Sequence, residues 1–168
     1  MAPSLTLRVA AFAELDAGTL YALLRLRVDV FVVEQRCPYP ELDGRDTEAS
    51  ARHLWLARGA TPVAYLRLLR ESDGAARIGR VAVARPARGG GLAGRLITAG
   101  LELAGGRPCV LDAQAHLVGL YRRFGFVPTG PEYLEDGIPH VPMRRDPGPP
   151  RAQPGTGQRP PAPIDSAT

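Results

Sequence analysis

The chain has 168 residues, is 45% hydrophobic and carries a formal net charge of +4. That is enough apolar material for one domain with a core, and no apolar run reaches the roughly 18 residues of a membrane span. All 21 basic residues are arginine and they are spread along the chain, so neither a nucleic-acid nor a membrane partner is expected, whereas an anionic small ligand fits the charge.

The first residues, MAPSLTLRVAAFAELD, lack a basic segment followed by an apolar one. No secretory signal is read there, and a cytoplasmic location is expected. Cys37 and Cys109 stand far apart and near no ligand set. Reduced, buried thiols are expected rather than a disulfide or a metal site.

Residues 5–10 (LTLRVA) alternate weakly, as a first strand. Leu20, Leu23, Leu24, Val28 and Phe31 mark an amphipathic helix over 17–33. Pro and Gly make CPYPELDGRD (37–46) a loop. HLWLAR (53–58), VAYLRLL (63–69) and ARIGRVAV (76–83) are joined by short turns and predict an antiparallel meander. Leu92, Leu96, Ala99 and Leu103 then share one helix face that ends at Gly105-Gly106. CVLDA (109–113) is a buried strand, and LVGLYRRF (117–124) a helix closed by Gly125 in a left-handed cap. FVPTG (126–130) and HVPMRR (140–145) are the final strands. The folded region is therefore 4–145. Residues 146–168 contain seven Pro and three Gly and almost nothing apolar, which predicts a disordered tail.

ARPARGGGLAGRL (84–96) opens a helix with no Ser, Thr, Asp or Asn to cap it. The first amides of a helix have no partner inside it. Glycines let a ligand approach the backbone, and the helix dipole favours an anion there. Arg85, Arg88 and Arg95 add positive charge. The plain alternative is a surface loop whose amides bond to water. A P-loop is excluded because the chain has no lysine. Gly89, Gly91 and Gly94 fit the dinucleotide spacing G-x-G-x-x-G, with Asp112 as a ribose-binding acid. That fit is poor in context, because Ala84–Arg88 separate strand and glycines and three antiparallel strands precede them.

RPARGGGLAGRL resembles the acyl-CoA pyrophosphate loop of the GNAT acetyltransferases, Arg/Gln-x-x-Gly-x-Gly/Ala, with Arg88, Gly91 and Ala93 on its fixed positions. The order β-α-βββ-α-β-α-ββ resembles that family over nearly the whole folded region. LYRRFGF (120–126) resembles the family's Leu-Tyr-x-x-x-Gly-Phe segment. VFVVEQRCPYPELDGRD (30–46), AQAHLVGLYRRFGF (113–126) and YLEDGIPHVPMRR (133–145) are similar to the ElaA-type members.

The resemblance implies an α/β fold of the α+β type: a mixed, mostly antiparallel sheet flanked by helices, with strands splayed around a CoA cleft. It implies acetyl-CoA as donor, a primary amine as acceptor, no metal, and a homodimer through the late strands. Val81, Ala82 and Val83 would pair with the pantetheine arm. Arg88, Gly89, Gly90, Gly91, Leu92, Ala93 and Gly94 would hold the pyrophosphate. Tyr121 would lie at the thioester and give a proton to the departing thiolate; its alternative is a core residue beside Leu117 and Phe124. Gln114 stands where the family often has Asn.

An attacking amine must be neutral, so a base is needed. The strand position where many members carry Glu is occupied here by Arg77, Gly79 and Arg80. Glu34 and then His116 are the candidate bases, followed by Glu135 and His140. Without a strand carboxylate, a non-catalytic acyl-CoA-binding module on the same fold is the competing expectation. Glu34, Asp43, Asp46 and Glu48 suggest an acidic patch that would draw a cationic amine.

Overall fold

The computed structural model describes residues 4–148. Strand β1 (Leu5–Ala10) leads into helix α1 (Ala17–Val28), which Asp16 caps by accepting from the Thr19 amide at 2.8 Å. The meander follows as β2 (Arg52–Arg58), β3 (Thr61–Arg70) and β4 (Ala76–Val83). Next come α2 (Leu92–Ala104), β5 (Cys109–Gln114) and α3 (Val118–Arg122). The chain then forms β6 (Val127–Pro128), β7 (Tyr133–Glu135) and β8 (Ile138–Arg145). One sheet runs β1-β2-β3-β4-β5-β8-β6, with β7 on β8, and every pairing is antiparallel except β4 with β5. No helix among the described residues is long and apolar enough to cross a membrane. Most of the expected tail, 149–168, lies outside the described residues.

Two apolar layers cover the sheet. On one face, Leu92, Leu96 and Ile97 of α2 pack on Leu54, Leu56, Leu66 and Ile78. On the other, Leu23, Leu26 and Val30 pack on Trp55, Tyr65 and Ala82. The expected helix faces are each displaced. In α2 the buried positions include Ile97, Gly100 and Ala104, whereas Leu103 is exposed. A Cβ on Gly100 would stand 3.4 Å from Leu66, so α2 lies close on the sheet there. In α1 the buried stripe is Leu23, Leu26 and Arg27, since a charged residue sits at its centre.

Arg27 is 1% exposed. Its Nε donates to Glu41 at 2.6 Å, and its terminal nitrogens reach both oxygens of Asp46 at 2.7 and 3.2 Å. Arg67 of β3 donates to Asp43 at 2.8 and 2.7 Å and to Asp46 at 3.0 Å. Arg80 pairs with Glu41 at 2.9 Å and with Asp43 at 3.4 Å. Three guanidiniums thus face three carboxylates, a balanced set that ties the 37–46 loop to α1 and to the sheet. His53 completes it. Its Nε2 faces the Asp46 carbonyl at 3.0 Å, which can only accept, so Nε2 carries the proton and Nδ1 accepts from the Tyr65 hydroxyl at 2.6 Å.

Arg80 has φ +54° inside a strand. Between the pairs Tyr65↔Ala82 and Arg67↔Gly79, β3 has Leu66 where β4 has Arg80 and Val81. This is a bulge, one extra residue on β4. Before it Ala76 and Ile78 face α2; after it Ala82 faces α1 while Val81 and Val83 pack toward α2. The last hairpin was expected only as its outer strands. β7 was missed although Asp136-Gly137, with φ +49° and +77°, is the two-residue turn that favours a hairpin.

Breaking the ion set leaves buried charge uncompensated, so Arg27→Leu should lower stability by about 3–5 kcal/mol in chemical denaturation. Burial holds the His53 imidazole below its ordinary value. The unfolded chain therefore takes up the proton first, and stability should fall as pH drops below about 6.5. His53→Gln should flatten that part of the stability–pH curve.

Candidate functional site

β4 and β5 pair only at Ala76↔Cys109 and Arg77↔Val110. Beyond that they part, and Ile78–Val83 have β3 on one side and no strand on the other. The gap is a cleft of about 930 Å³, near the upper end of the ~300–1,000 Å³ typical of ligand pockets. Val81, Ala82 and Val83 line one wall, and Leu111, Gln114 and Tyr121 the other.

At the end of the gap the chain turns through Gly89 and Gly91, with φ +84° and +70°, into α2. Gly91 is the helix cap and no side chain caps it; the first helical bond runs from the Arg95 amide to the Gly91 carbonyl at 3.1 Å. Among the described residues, no group accepts from the amides of 89–94. Arg88, Gly89, Gly91, Leu92 and Ala93 border the cleft. Gly90 and Gly94 do not; a Cβ on Gly94 would press on the Phe124 ring at 3.3 Å, so that glycine serves helix packing.

The sequence gives Arg88 and Glu34 separate roles, and the fold joins them. The guanidinium grips the carboxylate with two bonds, at 2.5 and 2.8 Å, while its Nε donates to the Val83 carbonyl at 3.1 Å. The hydrogen bond from Arg88 holds Glu34 below the usual carboxylate range. Glu34 reaches Arg88 because α1 continues as a π turn over Asp29–Glu34. That turn closes with Cys37 N–H on Val32 O at 3.1 Å and Arg36 N–H on Val33 O at 3.3 Å, Arg36 standing at φ +52° where glycine is usual. Gln35, which no sequence signal marked, exchanges amide bonds with Gln114 at 3.1 and 3.5 Å.

Tyr121 is 6% exposed and meets Phe126 edge-on at 6.0 Å. Its ring is core, yet the residue borders the cleft and its hydroxyl has no partner among the described residues. Burial raises its pKa to about 12. His116 is exposed at the end of β5, and His140 of β8 lies opposite Gln114; both line the cleft. His140 Nδ1 donates to the Ile138 carbonyl at 2.8 Å, which leaves Nε2 with its lone pair. Glu135 stands 4.0 Å from that nitrogen.

The expected acidic patch is corrected by pairing. Glu34 is held by Arg88, Asp43 by Arg67, Asp46 by Arg27 and Arg67, and Glu48 by Arg45 at 2.7 Å. Each of these carboxylates thus has an arginine partner and is not a bare negative charge. Both cysteines are free and buried. No group of His, Cys, Asp or Glu suited to a metal occurs among the described residues.

A family model described as an acetyltransferase (GNAT) domain matches residues 27–147. The chain belongs to the GNAT acetyltransferase family. Protein ElaA of Escherichia coli is 43% identical to this GNAT chain over 140 residues, 80% of the chain and 92% of ElaA. A UPF0039 protein of Mycobacterium tuberculosis is 52% identical over 149 residues, 86% of this chain and 90% of its own. The crystal structure of E. coli ElaA superposes with a TM-score of 0.80 at 40% identity, over 85% of this chain and all of that one. An acyl-CoA N-acyltransferase from Pseudomonas aeruginosa gives 0.81 at 46%, over 84% and 99%. The GNAT fold and the ElaA-like grouping stand on these matches.

The glycine loop of this GNAT domain distinguishes strain from contact. Gly91→Ala meets no atom within 4 Å but keeps a positive φ, so it should cost about 1–2 kcal/mol in chemical denaturation. Gly90→Ala, whose nearest neighbour is 3.9 Å away, should be close to neutral.

Proposed function

We propose that the protein transfers the acetyl group of acetyl-CoA directly to a primary amine of a small molecule or peptide. The observation that carries this is the parting of β4 from β5 beside a glycine turn whose amides lack acceptors. An extended donor with amide groups needs backbone partners, and Val81, Ala82 and Val83 offer an edge that no described strand covers, with the Val83 carbonyl bonded by Arg88 Nε. Its pyrophosphate suits the amides of 89–94 at the positive end of α2, with Arg88 alongside. Gln114, Leu92 and Ala93 would complete the walls.

The amine nitrogen attacks the thioester carbon, the C–S bond breaks, and the thiolate takes a proton from Tyr121. A phenol raised to about 12 stays protonated at neutral pH, so its O–H is present to donate as negative charge develops on the sulfur, and the tyrosine is reprotonated from water. The amine's proton leaves to an imidazole. His140 is favoured, because its Ile138 bond leaves Nε2 as the acceptor; His116 is the other imidazole on the same wall. While Arg88 holds it, Glu34 is the weaker base, because that hydrogen bond lowers its proton affinity.

Calorimetric titration with acetyl-CoA, followed by a panel of amines and peptides while free thiol is monitored, tests the proposal. Binding plus thiol release with an acceptor is expected. Binding without release across the panel would favour a non-catalytic acyl-CoA-binding module, and no binding would refute the assignment. Tyr121→Phe should lower kcat by about 10²–10⁴-fold with acetyl-CoA affinity unchanged. His140→Gln should slow transfer by a similar factor, and His116→Gln should not.

A further inference from the structure

Glu34 and Gln35 are neighbours in sequence, yet they reach opposite walls of the cleft. Glu34 holds Arg88, which is anchored to the end of β4 through Val83. Gln35 holds Gln114 at the end of β5. The π turn after α1 therefore spans the gap where the two strands part. Its reach depends on that turn and on the left-handed residue Arg36, which end the helix over the cleft.

The Glu34 contact has the chemistry of a ligand contact. A planar guanidinium grips two oxygens of one anion, the geometry arginine uses for carboxylate and phosphate alike. Arg88 is also the arginine of the loop that the proposed function gives to the donor's pyrophosphate. It has one fork, and Nε is already committed to Val83. A carboxylate and a phosphate cannot both take the fork face-on.

We propose that Glu34 is an internal competitor for the donor: its carboxylate occupies the anion position of Arg88 until acyl-CoA displaces it. The pair is exposed, at 41% and 35% for the two side chains, so it is weak enough to exchange. Until it is displaced, it keeps Arg88 ordered and pointed at the site. Displacement releases a negative charge into the cleft that Glu34 already lines, facing the space left for a cationic amine.

The proposal rests on acyl-CoA binding at the Arg88 loop, and the test separates the two. Acetyl-CoA is titrated calorimetrically into the wild type, Glu34→Gln, Arg88→Gln and the double variant. Glu34→Gln is isosteric, so the π turn keeps its shape. Removing the competitor should tighten acetyl-CoA binding by about two- to fivefold. The gain should vanish in the Arg88→Gln background, because Glu34 acts through that arginine. Inorganic pyrophosphate as a probe should show the same ordering of affinities. If wild type binds acetyl-CoA and Glu34→Gln binds equally or more weakly, the competitor role is overturned. A gain that persists without Arg88 overturns it as well. If wild type does not bind acetyl-CoA, the proposed function itself falls.

Discussion

Beyond its first residues β4 has a strand on one side only, and everything at the site follows from that constraint. Backbone N–H and C=O groups in a sheet interior demand partners. From Ile78 to Val83 they have β3 on one side and a cleft on the other. The sheet is not frayed there. α2 and α1 pack on its faces, and the bulge at Arg80 turns the strand without ending it. An unpaired strand edge inside a well-packed domain is a site prepared for an extended ligand.

What holds the edge in place is the ion set on the α1 face. Arg80 makes the bulge and also enters that set, so the backbone distortion and the charge network share a residue. Arginine suits the task because one guanidinium can bond two or three acceptors in fixed directions. Arg27 does so with Glu41 and Asp46, and its guanidinium also stands 5.3 Å above the Tyr65 ring. A buried set of this kind adds little net stability over well-packed apolar residues. Its contribution is geometric: it fixes the 37–46 loop, and with it one border of the cleft.

The strands of the meander, both long helices and the uncapped turn were legible in the sequence because local rules decide them. Alternation marks β2 to β4, and the absence of any capping side chain near Gly91 survives folding unchanged. The helix faces were less legible. Periodicity assigns buried positions by apolarity, and Arg27 is buried by acceptors on Glu41 and Asp46, in the loop 14 and 19 positions further on. The same failure produced the acidic patch. Each carboxylate counted over 34–48 has an arginine partner: Arg45 stands three positions from Glu48, but Glu34 and Arg88 are 54 positions apart and sequence distance conceals the pair. The strand β7 was missed for a different reason, since the Asp136-Gly137 turn was visible and the run before it is only three residues long.

The bulge in β4 also limits how this chain can change length. On either side of Arg80 the strand is written in opposite phase: Ile78 and Val81 share the α2 side, three positions apart rather than two. Deleting one of the two residues between them would restore strict alternation and keep Val81 and Val83 on the α2 side and Ala82 on the α1 side. Deleting one residue elsewhere in the strand, with the bulge kept, would instead turn every side chain on one side of the cut to the wrong face. Insertions and deletions in this family's chains should therefore collect in the loops, and within β4 the bulge is the place where the loss of one residue keeps the faces.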